Sequence, residues 1–102
     1  GVHTLNLTCC KNITDVSVLG KVHTLNLYNC KGITDVSALG KVHTLNLSNT
    51  LVTDVSALGG VHTLNLSNTK VSDVSMLVRV HELNLHWTLV TDISMLRNVH
   101  TI

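Results

Sequence analysis

Seven histidines, three cysteines and six carboxylates are the residues of this 102-residue chain that could do chemistry. Six of the histidines recur in one context. His3, His23, His43, His62, His81 and His100 each follow a valine. Held side by side, adjacent imidazoles could share Zn²⁺ or Cu²⁺. A tetrahedral site needs four ligands, and no carboxylate or thiol repeats beside the histidines to complete one. The plainer account is that one ancestral unit carried histidine and duplication multiplied it. We therefore expect no metal and no cofactor.

The aspartates form a second series: Asp15, Asp35, Asp54, Asp73 and Asp92, each after Thr or Ser. A short acceptor before a turn caps its free amides, and that is the expected role. Calcium is the sharper alternative, but each unit offers one carboxylate where calcium takes six to eight oxygens. Cys10 and Cys30 hold equivalent inward positions, later filled by Thr, so a small side chain is expected to suffice there. Cys9 falls at the strand face or its rim and is the more reactive candidate, a regulatory thiol being its sharper reading. An odd count without paired spacing reads as reduced thiols, hence a cytoplasmic location. No histidine is paired with a Ser or Cys where the pattern breaks, so no catalytic residue is assigned and no enzyme activity is expected.

Composition narrows the classes further. A formal charge of +1 gives no steering toward nucleic acid or anionic lipid. No apolar run approaches membrane-spanning length, and no signal peptide is visible. The first residue is Gly, which suits a processed or excised piece. Apolar residues make up 44% and aromatics 2%, so Leu, Val and Ile must fill any core.

What positions these series is an internal repeat. The phrase VHTLNL and its variants divide residues 1–102 into units 2–21, 22–41, 42–60, 61–79 and 80–98, with a partial unit at 99–102. The extra residue of the first two units follows the cysteine, as Cys10-Lys11-Asn12-Ile13 against Thr50-Leu51-Val52. Six apolar positions survive in each unit; in the third they are Val42, Leu45, Leu47, Val52, Val55 and Leu58. Leu45 and Leu47 alternate around Asn46, a short strand pattern. Val52, Val55 and Leu58 fall at steps of three, which suits a 3₁₀ or single helical turn. Gly59 and Gly60 are expected to turn the chain back. One unit cannot bury its own apolar face, but stacked units can. A coil with parallel strands about 4.8 Å apart follows, and the units are too short for Rossmann-type crossover helices.

Leu25-Asn26-Leu27-Tyr28-Asn29-Cys30 and Leu64-Asn65-Leu66-Ser67-Asn68-Thr69 resemble the LxLxx segment of a leucine-rich repeat. Val52-Thr53-Asp54-Val55-Ser56-Ala57-Leu58 is similar to the IxDIxxL segment of internalin-type repeats, and Cys-Lys-x-Ile-Thr-Asp resembles cysteine-containing repeats. The resemblance implies an α/β repeat solenoid, a leucine-rich-repeat array with a parallel β-sheet on one face and 3₁₀ or short helical turns on the other. It implies protein recognition on the strand face and no enzyme activity. The chain departs from the family in placing Cys10, Cys30, Thr50, Thr69 and Thr88 where the turn-capping Asn usually stands. Its units are also shorter, which should flatten the array, and the disulfide-bonded caps of secreted members are not visible.

Stacking turns each unit position into a file. Thr4, Thr24, Thr44, Thr63, Glu82 and Thr101 should face outward, as should Asn6, Asn26, Asn46, Asn65 and Asn84. Beside them run Thr8, Tyr28, Ser48, Ser67 and His86, then Cys9, Asn29, Asn49, Asn68 and Trp87. The structural account is that Thr suits strands and Asn amides bond along the stack. The functional account makes the face a docking wall, with Glu82, His86, Trp87 and Tyr28 as its distinctive residues and Asn46 and Asn65 between them. Trp87 is either a binding anchor or a cover for one end. The expected function is thus a protein-interaction module with a protein partner. Self-association end to end through uncapped ends is the alternative, and ice or crystal-surface binding by the Thr/Asn/Ser files is a third reading.

Overall fold

The computed structural model describes residues 3–96 and 99–101, without the side chain of Thr101. Val2, Ile102 and the Thr101 side chain, all parts of the expected pattern, lie outside the described residues.

Six short strands form one parallel sheet in sequence order. They are β1 Thr4–Asn6, β2 Thr24–Asn26, β3 Thr44–Asn46, β4 Thr63–Asn65, β5 Glu82–Asn84 and β6 His100–Thr101. From β1 to β5 the register is in phase, with Leu5, Leu25, Leu45, Leu64 and Leu83 as successive partners. Strands β1 to β5 are three residues long because the asparagine that ends each one turns the chain. Asn46 Oδ1 accepts the Ser48 N–H at 2.9 Å, and Asn26, Asn65 and Asn84 do the same for Tyr28, Ser67 and His86.

On the return side, steps of three match the three residues per turn of a 3₁₀ helix. Ser17–Leu19, Ser37–Leu39 and Ser56–Leu58 adopt it. In the fourth unit the same bond persists, Leu77 N–H to Val74 carbonyl at 3.0 Å, within a plain turn. The aspartates cap as expected. Asp15, Asp35, Asp54, Asp73 and Asp92 accept the N–H of Ser17, Ser37, Ser56, Ser75 and Ser94 at 2.9–3.0 Å.

The expected frame is the core. Val42, Leu45, Leu47, Val52, Val55 and Leu58 are all buried, as are their counterparts in the second and fourth units. In the fifth unit Ile93 is 48% exposed, although Val16, Val36, Val55 and Val74 at the same position are buried. The next coil supplies that cover elsewhere; beyond Ile93 the described residues add only Leu96 and Val99–Thr101 to the stack.

The chain turns at Gly59 and Gly60 as expected, though not for a special backbone conformation, and one further expectation needs correction. Gly59 has φ −63°, a conformation open to any residue. Its role is space: a Cβ there would lie 2.7 Å from the Met76 carbonyl of the next coil. Gly32 is constrained likewise by the Ile13 and Lys11 carbonyls at 2.7 and 2.9 Å. The cysteine/threonine position asks for more than a small side chain. Thr50, Thr69 and Thr88 donate their hydroxyls to the carbonyls of Leu47, Leu66 and Leu85 at 2.7–2.8 Å. The Cys30 thiol donates to the Leu7 carbonyl at 3.0 Å. The site needs a donor because it faces a carbonyl inside the core.

Candidate functional site

The corner after each strand holds one residue in the left-handed conformation: Cys9, Asn29, Asn49, Asn68 and Trp87, with φ between 56° and 62°. Asparagine tolerates this region better than other side chains with a Cβ. The file uses that tolerance twice over. Asn49 Nδ2 donates to Asn29 Oδ1 at 2.8 Å, and Asn68 Nδ2 donates to Asn49 Oδ1 at 2.9 Å. Asn29 Nδ2 reaches Cys9 Sγ at 3.3 Å, and Lys31 Nζ donates to Asn49 Oδ1 at 2.9 Å. Bonding along the stack, expected of both asparagine files, belongs to this one. Asn6, Asn26, Asn46, Asn65 and Asn84 turn their Oδ1 back onto the chain two residues on.

Trp87 takes the place where a fourth asparagine would extend the ladder. Its side chain is 84% exposed, so it covers neither end of the array. The same coil carries Glu82 and His86, both exposed. Glu82, Asn84 and His86 alternate onto the outer side of the chain, and Trp87 stands at the corner beside them. Leu89, two residues further, is 61% exposed and was not singled out from sequence. Its signal is faint, because Leu51 occupies the same position in the third unit and is also exposed.

Tyr28 does not join this group. It shares the His86 position but lies three strands away, about 14 Å at strand spacing. Asn46 and Asn65 lie between and are half-buried. Ser48, expected to face outward, is buried; its hydroxyl donates to Asn46 Oδ1 at 2.6 Å.

The histidines form the file that the repeat implies. Rings from His3 to His81 stack with centroids 4.4, 4.6, 4.5 and 4.7 Å apart. Interplanar angles are 9–10° for the first three pairs and 21° for His62 and His81. Nδ1 of His23, His43 and His62 shares a hydrogen bond with the hydroxyl of Thr24, Thr44 and Thr63 at 2.9–3.0 Å. Glu82 replaces that threonine after His81. Parallel rings aim their nitrogen lone pairs side by side, so they do not converge on one ion. Among the described residues no group of three or more His, Cys, Asp or Glu could hold a metal. Partial desolvation, then the neighbouring His3 and His43, lower the His23 pKa below the usual imidazole value.

Of the thiols, Cys9 is exposed, Cys10 half-buried and Cys30 buried. Burial pushes the Cys30 pKa up, away from nucleophilic chemistry. No helix among the described residues is long and apolar enough to cross a membrane.

No family model matches the sequence, and neither does any curated protein. Solved structures do match. Internalin C2 of Listeria monocytogenes is similar over 97% of this chain, at 24% identity and a TM-score of 0.71. An internalin F of the same species is similar over 87%, at 24% identity and a TM-score of 0.51. The chain spans 49% of the first and 37% of the second. At this identity the likeness establishes architecture, and it agrees with the in-phase parallel sheet and the 3₁₀ returns: the chain has the leucine-rich-repeat solenoid fold of the internalins.

Proposed function

We propose that the chain is a protein-interaction module that binds its partner through the C-terminal part of the strand face, with Trp87 as anchor and Glu82 and His86 beside it. One observation carries this reading. Trp87 is a large aromatic, 84% exposed, in a left-handed backbone conformation. A bulky residue there costs about 1–2 kcal/mol, and the fold recovers little of it by packing. The neighbouring coils show that asparagine at this corner adds stack bonds instead. A residue that the fold disfavours, displayed to solvent beside a carboxylate and an imidazole, suits a contact with another protein. Tryptophan is enriched among the residues that dominate binding energy. Tyr28 is a secondary contact, reached only by a partner that spans at least four strands.

The test is affinity capture with the chain immobilised, comparing the parent with Trp87→Asn. Asparagine restores the ladder residue, so the variant stays folded. A partner captured by the parent and lost by the variant supports the reading. Equal capture by both would remove Trp87 from the interface.

A further inference from the structure

Five of the six carboxylates of this chain lie in the aspartate file, and five of its seven histidines, His3 to His81, lie in the stacked histidine file; His100 pairs with Glu82 in the strand register instead. Each coil contributes one residue to each, so both files repeat once per coil. In the histidine file the spacing is direct, 4.4–4.7 Å between ring centroids. Every member of both files, from His3 to His81 and from Asp15 to Asp92, is exposed.

The files occupy separate edges. The histidine stands immediately before the strand, as His43 before Thr44–Asn46; the aspartate stands before the return turn, as Asp54 before Ser56–Leu58. The charges acting on His23 are those of His3 and His43, and the charges acting on Asp35 are those of Asp15 and Asp54. One molecule therefore does not pair its own files, whereas two molecules side by side can.

Around the histidines stand the hydroxyls of Thr24, Thr44 and Thr63. Lys21, Lys41 and Arg79 lie two residues before His23, His43 and His81. Glu82, next to His81, is the one carboxylate adjoining that edge in the sequence. Among the described residues, Thr and Ser side chains, the serine amides that they accept, and the apolar Ala38, Ala57 and Met76 lie beside the aspartates. Any proton taken up at the histidine edge therefore adds positive charge there, while the aspartate edge stays anionic.

We propose that, on acidification, the histidine edge becomes a docking strip for the aspartate edge of a second copy of this chain, packing copies side by side with their coils in phase. The partner's chemistry follows from charge and period together. A nucleic-acid strand presents one charge per about 3.4 Å of axis, out of step with rings 4.4–4.7 Å apart, whereas this protein carries a carboxylate file with one member per coil, as the histidine file has. The serine amides hold the aspartates below the usual carboxylate range, so they stay ionised in mild acid. Each docked pair leaves one edge of each kind open, so the contact is head to tail and open-ended. It uses edges outside the strand face and stands apart from the Trp87 reading.

Sedimentation velocity at low ionic strength tests it, at about pH 7.5 and about pH 5.5, either side of the ordinary imidazole pKa. One variant carries His23→Gln, His43→Gln and His62→Gln. Another carries Asp35→Asn, Asp54→Asn and Asp73→Asn; asparagine retains the oxygen that caps the turn. The parent should associate only at the lower pH, reversed by salt, and each variant alone should stay monomeric. An equimolar mixture of the variants should form a dimer and stop, since one supplies intact aspartates and the other intact histidines. A third variant, His23→Lys, His43→Lys and His62→Lys, should associate already at about pH 7.5, which separates docking from any loss of folding in acid. A monomeric parent at both pH values, association by the Gln or Asn variant alone, or a mixture without dimer would each overturn the proposal.

Discussion

Asn49 and Asn29 stand in successive coils with the Nδ2 of the first donating to the Oδ1 of the second at 2.8 Å. Asn49 also accepts from Asn68 Nδ2 and from Lys31 Nζ, each at 2.9 Å, and its φ is 59°. Two effects therefore meet at one residue. Asn49→Ala removes the ladder bonds and puts a less tolerant side chain in the left-handed region. At about 1 kcal/mol per net hydrogen bond and a similar backbone penalty, the loss should be about 2–4 kcal/mol. Asn49→Gly loses the bonds but not the backbone fit, and should cost about 1 kcal/mol less. Urea unfolding of both variants checks the difference; equal losses would assign the whole effect to the side chain.

Trp87 offers the converse substitution. Trp87→Asn puts the ladder residue next to Asn68 and eases the backbone. Stability should rise by about 1 kcal/mol, although the variant loses the feature on which the binding reading rests. Thermal melting decides it. A Trp87→Asn protein less stable than the parent would mean that the indole contributes to the fold.

The repeat and its six apolar positions were legible because burial imposes the same demand on every coil, and Val42, Leu45, Leu47, Val52, Val55 and Leu58 all meet it. The jobs of the polar residues were less legible. Asn46 and Asn49 are the same residue three positions apart, yet one bonds two residues along the chain and the other bonds across coils. Nothing in residue type marks which has positive φ. Thr50 was read as small, when its hydroxyl is what the Leu47 carbonyl requires. In the candidate site, Glu82, His86 and Trp87 stood out as departures from a period, while exposed Leu89 was hidden by Leu51 at its own position.

Leu45 and Asn46 test the two faces of β3. Leu45 is buried with a coil on each side. Leu45→Ala should cost about 2–5 kcal/mol through lost burial and the cavity left behind. Asn46→Ala removes the acceptor of the Ser48 amide and hydroxyl, at about 1–2 kcal/mol. Denaturant titration should rank Leu45→Ala as the more damaging by a clear margin. A reversed order would mean that the turn, rather than the core, limits stability.

Acid should weaken the fold in two separate steps. His23 has its pKa lowered in the folded chain by desolvation and by His3 and His43. As pH falls through about 6.5, the ordinary imidazole value, the unfolded chain binds the proton first, so stability is lost from there down to the folded pKa and then levels off. The aspartates are also lowered, chiefly by the serine amides. Their contribution is fully present above the ordinary carboxylate value of about 3.9 and is lost only as pH falls from there through the folded values. Melting temperature against pH, measured at high salt and low protein concentration to suppress association, should therefore drop twice. His23→Gln should remove or reduce the upper drop and leave the lower one. Asp54→Asn should do the reverse, since it keeps the cap oxygen but no longer titrates. If His23→Gln leaves the upper drop untouched, the stacked rings are not what acid acts on.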